Sequence, residues 1–218
     1  MSAPNPAPRT RVRRLRELQV DERGALDALL DEVLVAHVGL LADGQPLVLP
    51  TAFARDGDRL LVHGSTGSGW MRVAAEAVPA CVTVTALDGL VVARSAFESS
   101  MRYRSAAVFG ALRPLEACTR DRALEVITDK LLPGRRTEVR ASTAGELRQT
   151  LVLEMPIEHW SLKVSDGWSE DPEEDRRGPA WAGVVPLRTS ASPPLAAPDL
   201  SDGIDVPASV EAFVRARA

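Results

Sequence analysis

The sequence predicts a mainly β protein, an antiparallel barrel with peripheral helices, and three observations carry that expectation. Apolar runs of strand length recur from Val35 to Arg188. Asp-Gly pairs at 43–44, 56–57 and 88–89 punctuate them, and Asp-Gly between apolar runs is a strong signal for a tight hairpin. Helical stretches are set among the strands and do not alternate with them one for one, so the chain has neither a doubly wound βαβ pattern nor a glycine-rich dinucleotide fingerprint.

Residues 1–19 read as a basic arm with little structure of its own, carrying Arg9, Arg11, Arg13, Arg14 and Arg16. Asp21 is placed to cap a helix running to about Leu34, with Leu26, Leu29, Leu30 and Val33 at helical spacing. Val35–Leu41, Pro46–Ala54 and Arg59–His63 are three strands joined by the first two Asp-Gly turns, an antiparallel meander; His37, inside the first, reads as a core residue. A short helix follows over Trp70–Ala77. Pro79–Leu87, rich in Val and Thr, reads as a central strand, and Asp88-Gly89 as the turn into Leu90–Ser95. Tyr103–Leu112 continues the sheet. Thr119–Leu132 is an amphipathic helix closed by Pro133-Gly134, and Glu146 is read as ending a further short helix. Thr150–Met155 and Glu158–Val164 are late strands, 166–179 an acidic loop, and Trp181–Arg188 the last strand. The barrel domain thus spans 20–190, and 191–218 is a Pro- and Ala-rich extension with a short helix expected at its end.

Composition narrows the function classes. With 218 residues, 45% hydrophobic and 26% charged, the chain is ordinary globular material with room for one substantial core. A net charge of −4 gives no global pull toward nucleic acid. Charges interrupt every apolar run longer than a strand, so no membrane-spanning helix is expected, and the arginine-rich start lacks the apolar core of a secretory signal. Cys81 and Cys118 stand far apart; a disulfide framework is not expected, Cys81 reads as a small buried hydrophobe, and the cytoplasm is the expected compartment. Only Lys130 and Lys163 stand against 24 arginines, a bias that suggests a GC-rich bacterial genome.

The segment Leu60–Arg72 is the most informative. A strand enters Gly64-Ser65-Thr66-Gly67-Ser68-Gly69, and a helix starts just beyond. Glycines let backbone N–H groups approach an anion, hydroxyls add donors, and a helix start adds a favourable partial charge, which is the chemistry of a phosphate cradle. A plain strand-to-helix turn has the same composition, and no Lys follows the last glycine as in a nucleotide-binding P-loop. His63, at the mouth of this loop, reads either as a donor to a bound group or as a hydrogen-bonded structural histidine. A second segment, Ala93–Ser105, sets Arg94, Arg102 and Arg104 among hydroxyls and the sole tyrosine, Tyr103; such a set pairs with a phosphate or carboxylate, or forms a solvated hairpin. His37, His63 and His159 are scattered without paired carboxylates and make no metal site. No serine sits on the strand-to-helix elbow of a serine hydrolase.

Six blocks in order carry a family resemblance: Gln45–Ala52, Leu61–Thr66, Leu87–Phe97, Ser100-Met101 with Tyr103-Arg104-Ser105, Leu132–Arg135 and Trp181–Leu187. Over about residues 9–190 the chain resembles the bacterial flavin-nucleotide-binding branch of the pyridoxamine 5′-phosphate oxidase-like superfamily, to which nitroimidazole-resistance reductases are similar. The resemblance implies an FMN-binding split β-barrel, an antiparallel Greek-key-type barrel, forming a homodimer with FMN at the subunit interface. It implies that Pro50, Thr51 and Ala52 run beside the flavin ring, and that His63, Gly64, Ser65, Thr66 and Ser68 meet the ribityl phosphate. Met101, Tyr103, Arg104 and Ser105 would approach from the partner or from the substrate side, and Lys163 and Trp181 would contact or wall the cofactor. The chain departs from the family pattern at Glu98, Ser99 and Arg102, where histidines before Met101 and an asparagine after it are usual. The function expected is an FMN-dependent oxidoreductase with a small-molecule substrate; FAD, haem or a deazaflavin are alternative cofactors, and a non-enzymatic carrier is the alternative role.

Overall fold

In the computed structural model, which describes residues 10–218, Asp43 and Gly44 both take positive φ (51° and 74°), the geometry of a type I′ turn. They fold β2 (Val35–Ala42) back on β3 (Gln45–Asp56), and a second turn with Gly57 at φ 59° returns β3 into β4 (Arg59–Ser65). This is the expected meander. The remaining strands are β1 (Gln19–Val20), β5 (Pro79–Val92), β6 (Ser100–Ala111), β7 (Arg113–Pro114), β8 (Thr150–Pro156), β9 (His159–Ser165) and β10 (Gly183–Pro186). The helices are α1 (Arg23–Glu32), α2 (Gly69–Ala75), α3 (Ala117–Leu131), α4 (Ala144–Gln149), α5 (Glu173–Arg176) and α6 (Ala208–Ala216).

All pairings are antiparallel, in the order β1-β9-β6-β5-β2-β3-β4-β8-β7, with β10 on β5. The run β6–β7 touches both ends of this order, because β6 pairs β9 and β7 pairs β8. Gly110 lies so close to Met155 that an added Cβ would sit 3.2 Å from its Cγ. The sheet therefore wraps round its core without closing: a split β-barrel in a mainly β chain.

The main core fills the concave face. Val38, Phe53, Val62, Val82, Val108 and Leu162 point inward from six strands, and Leu26, Leu29 and Leu30 of α1 with Met71 of α2 cap them. A smaller cluster, Ala54, Leu61 and Val152 under Ala123 and Ile127 of α3, covers the other side of β3, β4 and β8. β2, the first half of β3, β5, β6 and β9 keep their second face outward, where Leu41 of β2 is 61% and Val48 of β3 63% exposed.

Several sequence expectations need correction. Asp88-Gly89 is not a hairpin: β5 runs through it as one strand with a register shift between Leu87 and Gly89. The reason is β10, whose Val185 carbonyl would lie 3.0 Å from a Cβ at Gly89, so glycine here serves a close crossing and not a turn. His37 is exposed, because Ala36, Val38 and Leu40 occupy the inward positions of β2. Cys81 is half-buried on the same outward face. Asp21 does not cap α1; it accepts from Gln19 Nε2 at 2.6 Å, and Glu22 holds the cap position without a side-chain bond. Glu146 opens α4, forming a capping box with Thr143. Trp181 precedes β10, and 173–176 of the acidic loop is helical. Of the basic arm, residues 1–9 lie outside the described residues, whereas Gln19–Val20 pair with β9.

Candidate functional site

β3 pairs with β2 over Gln45–Ala52 but with β4 only over Phe53–Asp56. Beyond the Phe53–Val62 pair the two strands part. Pro50, Thr51 and Ala52 form one bank of the split. His63, Gly64 and Ser65 form the other, held from behind by Val152, Leu151 and Thr150 of β8. Each bank therefore presents a backbone edge with no strand partner among the described residues. Pro46 and Pro50 mark the β3 edge, since proline has no N–H and is tolerated in a strand only where no partner needs one.

His63 sits at the point of divergence. Its Nδ1 is buried and has no hydrogen-bond partner. Burial pulls its pKa below the ordinary imidazole value, so the ring is neutral at pH 7. An unmade bond at a buried polar atom costs about 1–3 kcal/mol, so a ligand that completed it would be favoured by a similar amount.

The glycine- and hydroxyl-rich loop is more self-contained than its composition suggests. Thr66 N–H donates to Gln149 O at 2.9 Å, Gly67 N–H to Ser65 Oγ at 3.1 Å, and Ser68 N–H to Ser65 O at 3.0 Å. Three amides of the expected cradle are thus engaged within the chain. The hydroxyls can still donate: Ser65 Oγ accepts from Gly67 but donates to no group among the described residues, and Ser68, at the cap position of α2, makes no side-chain capping bond. Gly64 is required by the approach of α2, as a Cβ would sit 3.0 Å from Met71 Cγ.

From the split, the outward face continues across β2, β5, β6 and β9 in register. Its middle is polar. Thr85 pairs with Ser105 and Ser105 with Lys163, the two hydroxyls lie 3.2 Å apart, and Lys163 Nζ is 6.0 Å from the centre of the Tyr103 ring. His37 lies between Pro50 and Thr83. Its two ends are apolar. Val185, Leu90 and Met101 align at one end, each about half exposed. At the other, Gly39, Leu41, Pro46, Val48 and Cys81 line an open cleft of about 350 Å³.

Strand alternation sorts the sequence-predicted residues. Met101, Tyr103, Ser105 and Lys163 share the outward face, whereas Arg104 turns to the opposite side and is held by Asp88 and Glu32. Arg94 is locked to the buried Asp171, and Arg102 donates to Gly167 O and stacks on Trp168. The three arginines do not form one anion site. Trp181 is 66% exposed, its ring over Gly183, where a Cβ would come within 2.7 Å. Thr83, Thr85 and His37 were missed as part of this face; the period-two alternation of Ala36-His37-Val38-Gly39-Leu40 is the signal that finds the last of them. Among the described residues no group of three or more His, Cys, Asp or Glu side chains could hold a metal ion, and no helix is long and apolar enough to cross a membrane.

Comparison with known proteins gives three results. The model of the pyridoxamine 5′-phosphate oxidase family matches residues 22–164. Among curated proteins, none matches the sequence. Among solved structures, the chain is 49% identical to the FAD and haem binding protein from Mycobacterium smegmatis, covering 90% of this chain and 97% of that one with a TM-score of 0.88. It is 34% identical to the flavocytochrome Anf3 from Azotobacter vinelandii, covering 94% and 96% with a TM-score of 0.88. A putative 5-nitroimidazole antibiotic resistance protein from Bacteroides thetaiotaomicron shares the fold at 20% identity, covering 67% and 86% with a TM-score of 0.55.

Proposed function

The chain belongs to the pyridoxamine 5′-phosphate oxidase family, and on that premise we propose that it binds a flavin at the split between β3 and β4, against a second copy of itself, and acts as a flavin-dependent oxidoreductase on a small molecule. The observation that carries this is the divergence of the two strands beyond Phe53 and Val62, which opens two backbone edges beside a buried, unpartnered imidazole nitrogen.

The residues suit the group. A flavin ring has a polar edge and two apolar faces. The edge of Pro50–Ala52 that β4 leaves bare can meet the flavin's polar edge, and the outward sheet face can receive the ring. The Ser65, Thr66 and Ser68 hydroxyls, with Lys163 as the cation on this face, suit the phosphate. A bound flavin carries hydride and electron transfer on its own ring. The protein is left to orient it, complete its hydrogen bonds and exclude water. Exclusion of water needs a cover for the outward face, and a second copy supplies it. Exposed apolar rows at both ends of a polar centre are what an interface around a bound cofactor requires.

The 49% identical relative, an FAD and haem binding protein, favours FAD over FMN and adds haem as a second group, and the 34% identical one, a flavocytochrome, agrees with a reading in which electrons pass between a flavin and a haem. The apolar cleft at Gly39 and Cys81 is the place on this face suited to a further flat, apolar ring. The absorption spectrum of the purified protein tests both readings. A flavin band that bleaches with a reduced nicotinamide supports the oxidoreductase, and a Soret band beside it supports the two-cofactor form. A flavin band without turnover reduces the role to carriage. A colourless protein that ignores added FMN, FAD and haem overturns the proposal.

A further inference from the structure

Residues 192–206 form an arch in which every residue is exposed. Both ends are fixed to the same helix. Ala191 N–H donates to Arg217 O at 2.8 Å beyond the end of α6, and Pro207 leads directly into its start. Between these points the only backbone bond is a turn, Leu200 N–H to Ala197 O. The arch presents Leu195 (95% exposed) and Ile204 (57%) together with Asp199, Asp202 and Asp205, none of which takes part in an ion pair among the described residues. A loop of this length without secondary structure is uncommon in a compact domain, and apolar side chains shown to solvent on it suit a contact element.

The arm has the opposite charge. Arg11, Arg13, Arg14 and Arg16 are exposed and likewise without an ion pair among the described residues. Among the described residues twelve other arginines each hold a carboxylate and seven scattered ones do not, but only here do four without one stand together on one short segment. The two charged elements enter the sheet from opposite edges. The arm runs into β1, outside β9; the arch follows β10, on the far side of β5. Four strand spacings of about 4.8 Å put these edges roughly 19 Å apart. The arch itself is carried by α6, which docks on Glu138 through Ser209, and in a two-fold pair an arm-to-arch contact between copies is made twice.

We propose that two copies of this chain are clasped by these elements, the acidic arch (Asp199, Asp202, Asp205) of each lying on the basic arm (Arg11, Arg13, Arg14, Arg16) of its partner. This rests on the second copy invoked in the reading above. The clasp supplies register and encounter rate through charge, and Leu195 and Ile204 supply apolar contact.

The test is a charge swap on the full chain, read by sedimentation. Asp199→Lys with Asp202→Lys and Asp205→Lys, or Arg11→Glu with Arg13→Glu, Arg14→Glu and Arg16→Glu, is expected to weaken dimerisation about ten-fold or more, and the two sets combined to restore most of it. All seven positions are exposed, so the far-UV spectrum of each variant should match that of the parent. A dimer indifferent to either set overturns the clasp and leaves the flavin reading standing. Arm reversal that weakens flavin binding with no change in dimerisation also overturns it, assigning the arginines to a cofactor phosphate. A monomer at every concentration overturns both the clasp and the interfacial site.

Discussion

Arg104 on β6 grips Asp88 on β5, Nε to Oδ2 at 2.9 Å and Nη2 to Oδ1 at 2.8 Å, beside the register shift in that strand pair. Glu32 at the end of α1 completes the clamp from the other side. The shift turns both Leu87 and Leu90 onto the outward face, so the clamp helps to shape the surface on which the proposed site is built. Arg104→Gln is expected to cost about 1 kcal/mol, since the three side chains are partly exposed and screened, and to lower the melting temperature by roughly 2–4 °C. Arg104, chiefly by its hydrogen bond, holds the Glu32 carboxyl below its ordinary pKa. The carboxylate's contribution is therefore complete above about pH 4.5 and is lost as the pH falls through the lower folded value. Urea midpoints at neutral and acid pH should differ less in the variant than in the parent.

Lys130 gives a slope of the same sign in an alkaline window. Its Nζ lies 3.5 Å from the centre of the Phe53 ring and donates to the Leu30 carbonyl at the end of α1, a helix with no basic residue in its own last turn. Burial pulls the amine from 10.5 to about 8, with Asp31 opposing the shift and Arg55 adding to it. Below about pH 8 the amine is charged in folded and unfolded chains alike, and the burial penalty is in full force. Between about 8 and 10.5 the unfolded chain holds more protons, so stability rises with pH across that window. Lys130→Met should flatten the rise, and denaturant midpoints on either side of pH 8 will show it.

Glu138 tethers the C-terminal helix. Its carboxylate accepts from Ser209 N at 2.9 Å and from Ser209 Oγ at 2.5 Å, and these bonds hold its pKa below the ordinary value. Glu138→Gln is expected to make 191–218 more sensitive to protease while leaving the melting of the barrel unchanged. In the parent, the same loosening should appear as the pH falls below about 4.5. A helix that stays protected in the variant would show that apolar packing alone docks it.

The loop hydroxyls can be tested for a phosphate role. With three loop amides engaged internally, Ser65→Ala combined with Ser68→Ala is expected to weaken FMN about ten-fold and to leave riboflavin nearly unchanged, because only FMN carries the phosphate. Titration calorimetry with both ligands separates the cases; equal loss for both removes the loop from phosphate recognition.

Much of this architecture was legible in the sequence because its causes are local. Asp43-Gly44 turns the chain wherever it lies, and Leu26, Leu29 and Leu30 find one face of a helix by spacing alone. Asp88-Gly89 has the same letters as two hairpins and does something else, because what decides it is β10, nearly a hundred residues later. Arg104 read as free charge until Glu32, far upstream, came beside it. The divergence of β3 from β4 left one trace in the chain, the prolines at 46 and 50, whose meaning depends on knowing which strand edge is bare.

The most direct test of a flavin held between two copies of this chain is sedimentation of the FAD- or FMN-loaded protein, followed at the flavin absorption band across a dilution series. The flavin should move with the dimer and be released as the dimer dissociates. Flavin that stays with a dilute monomer, or a dimer that takes up none, would contradict it.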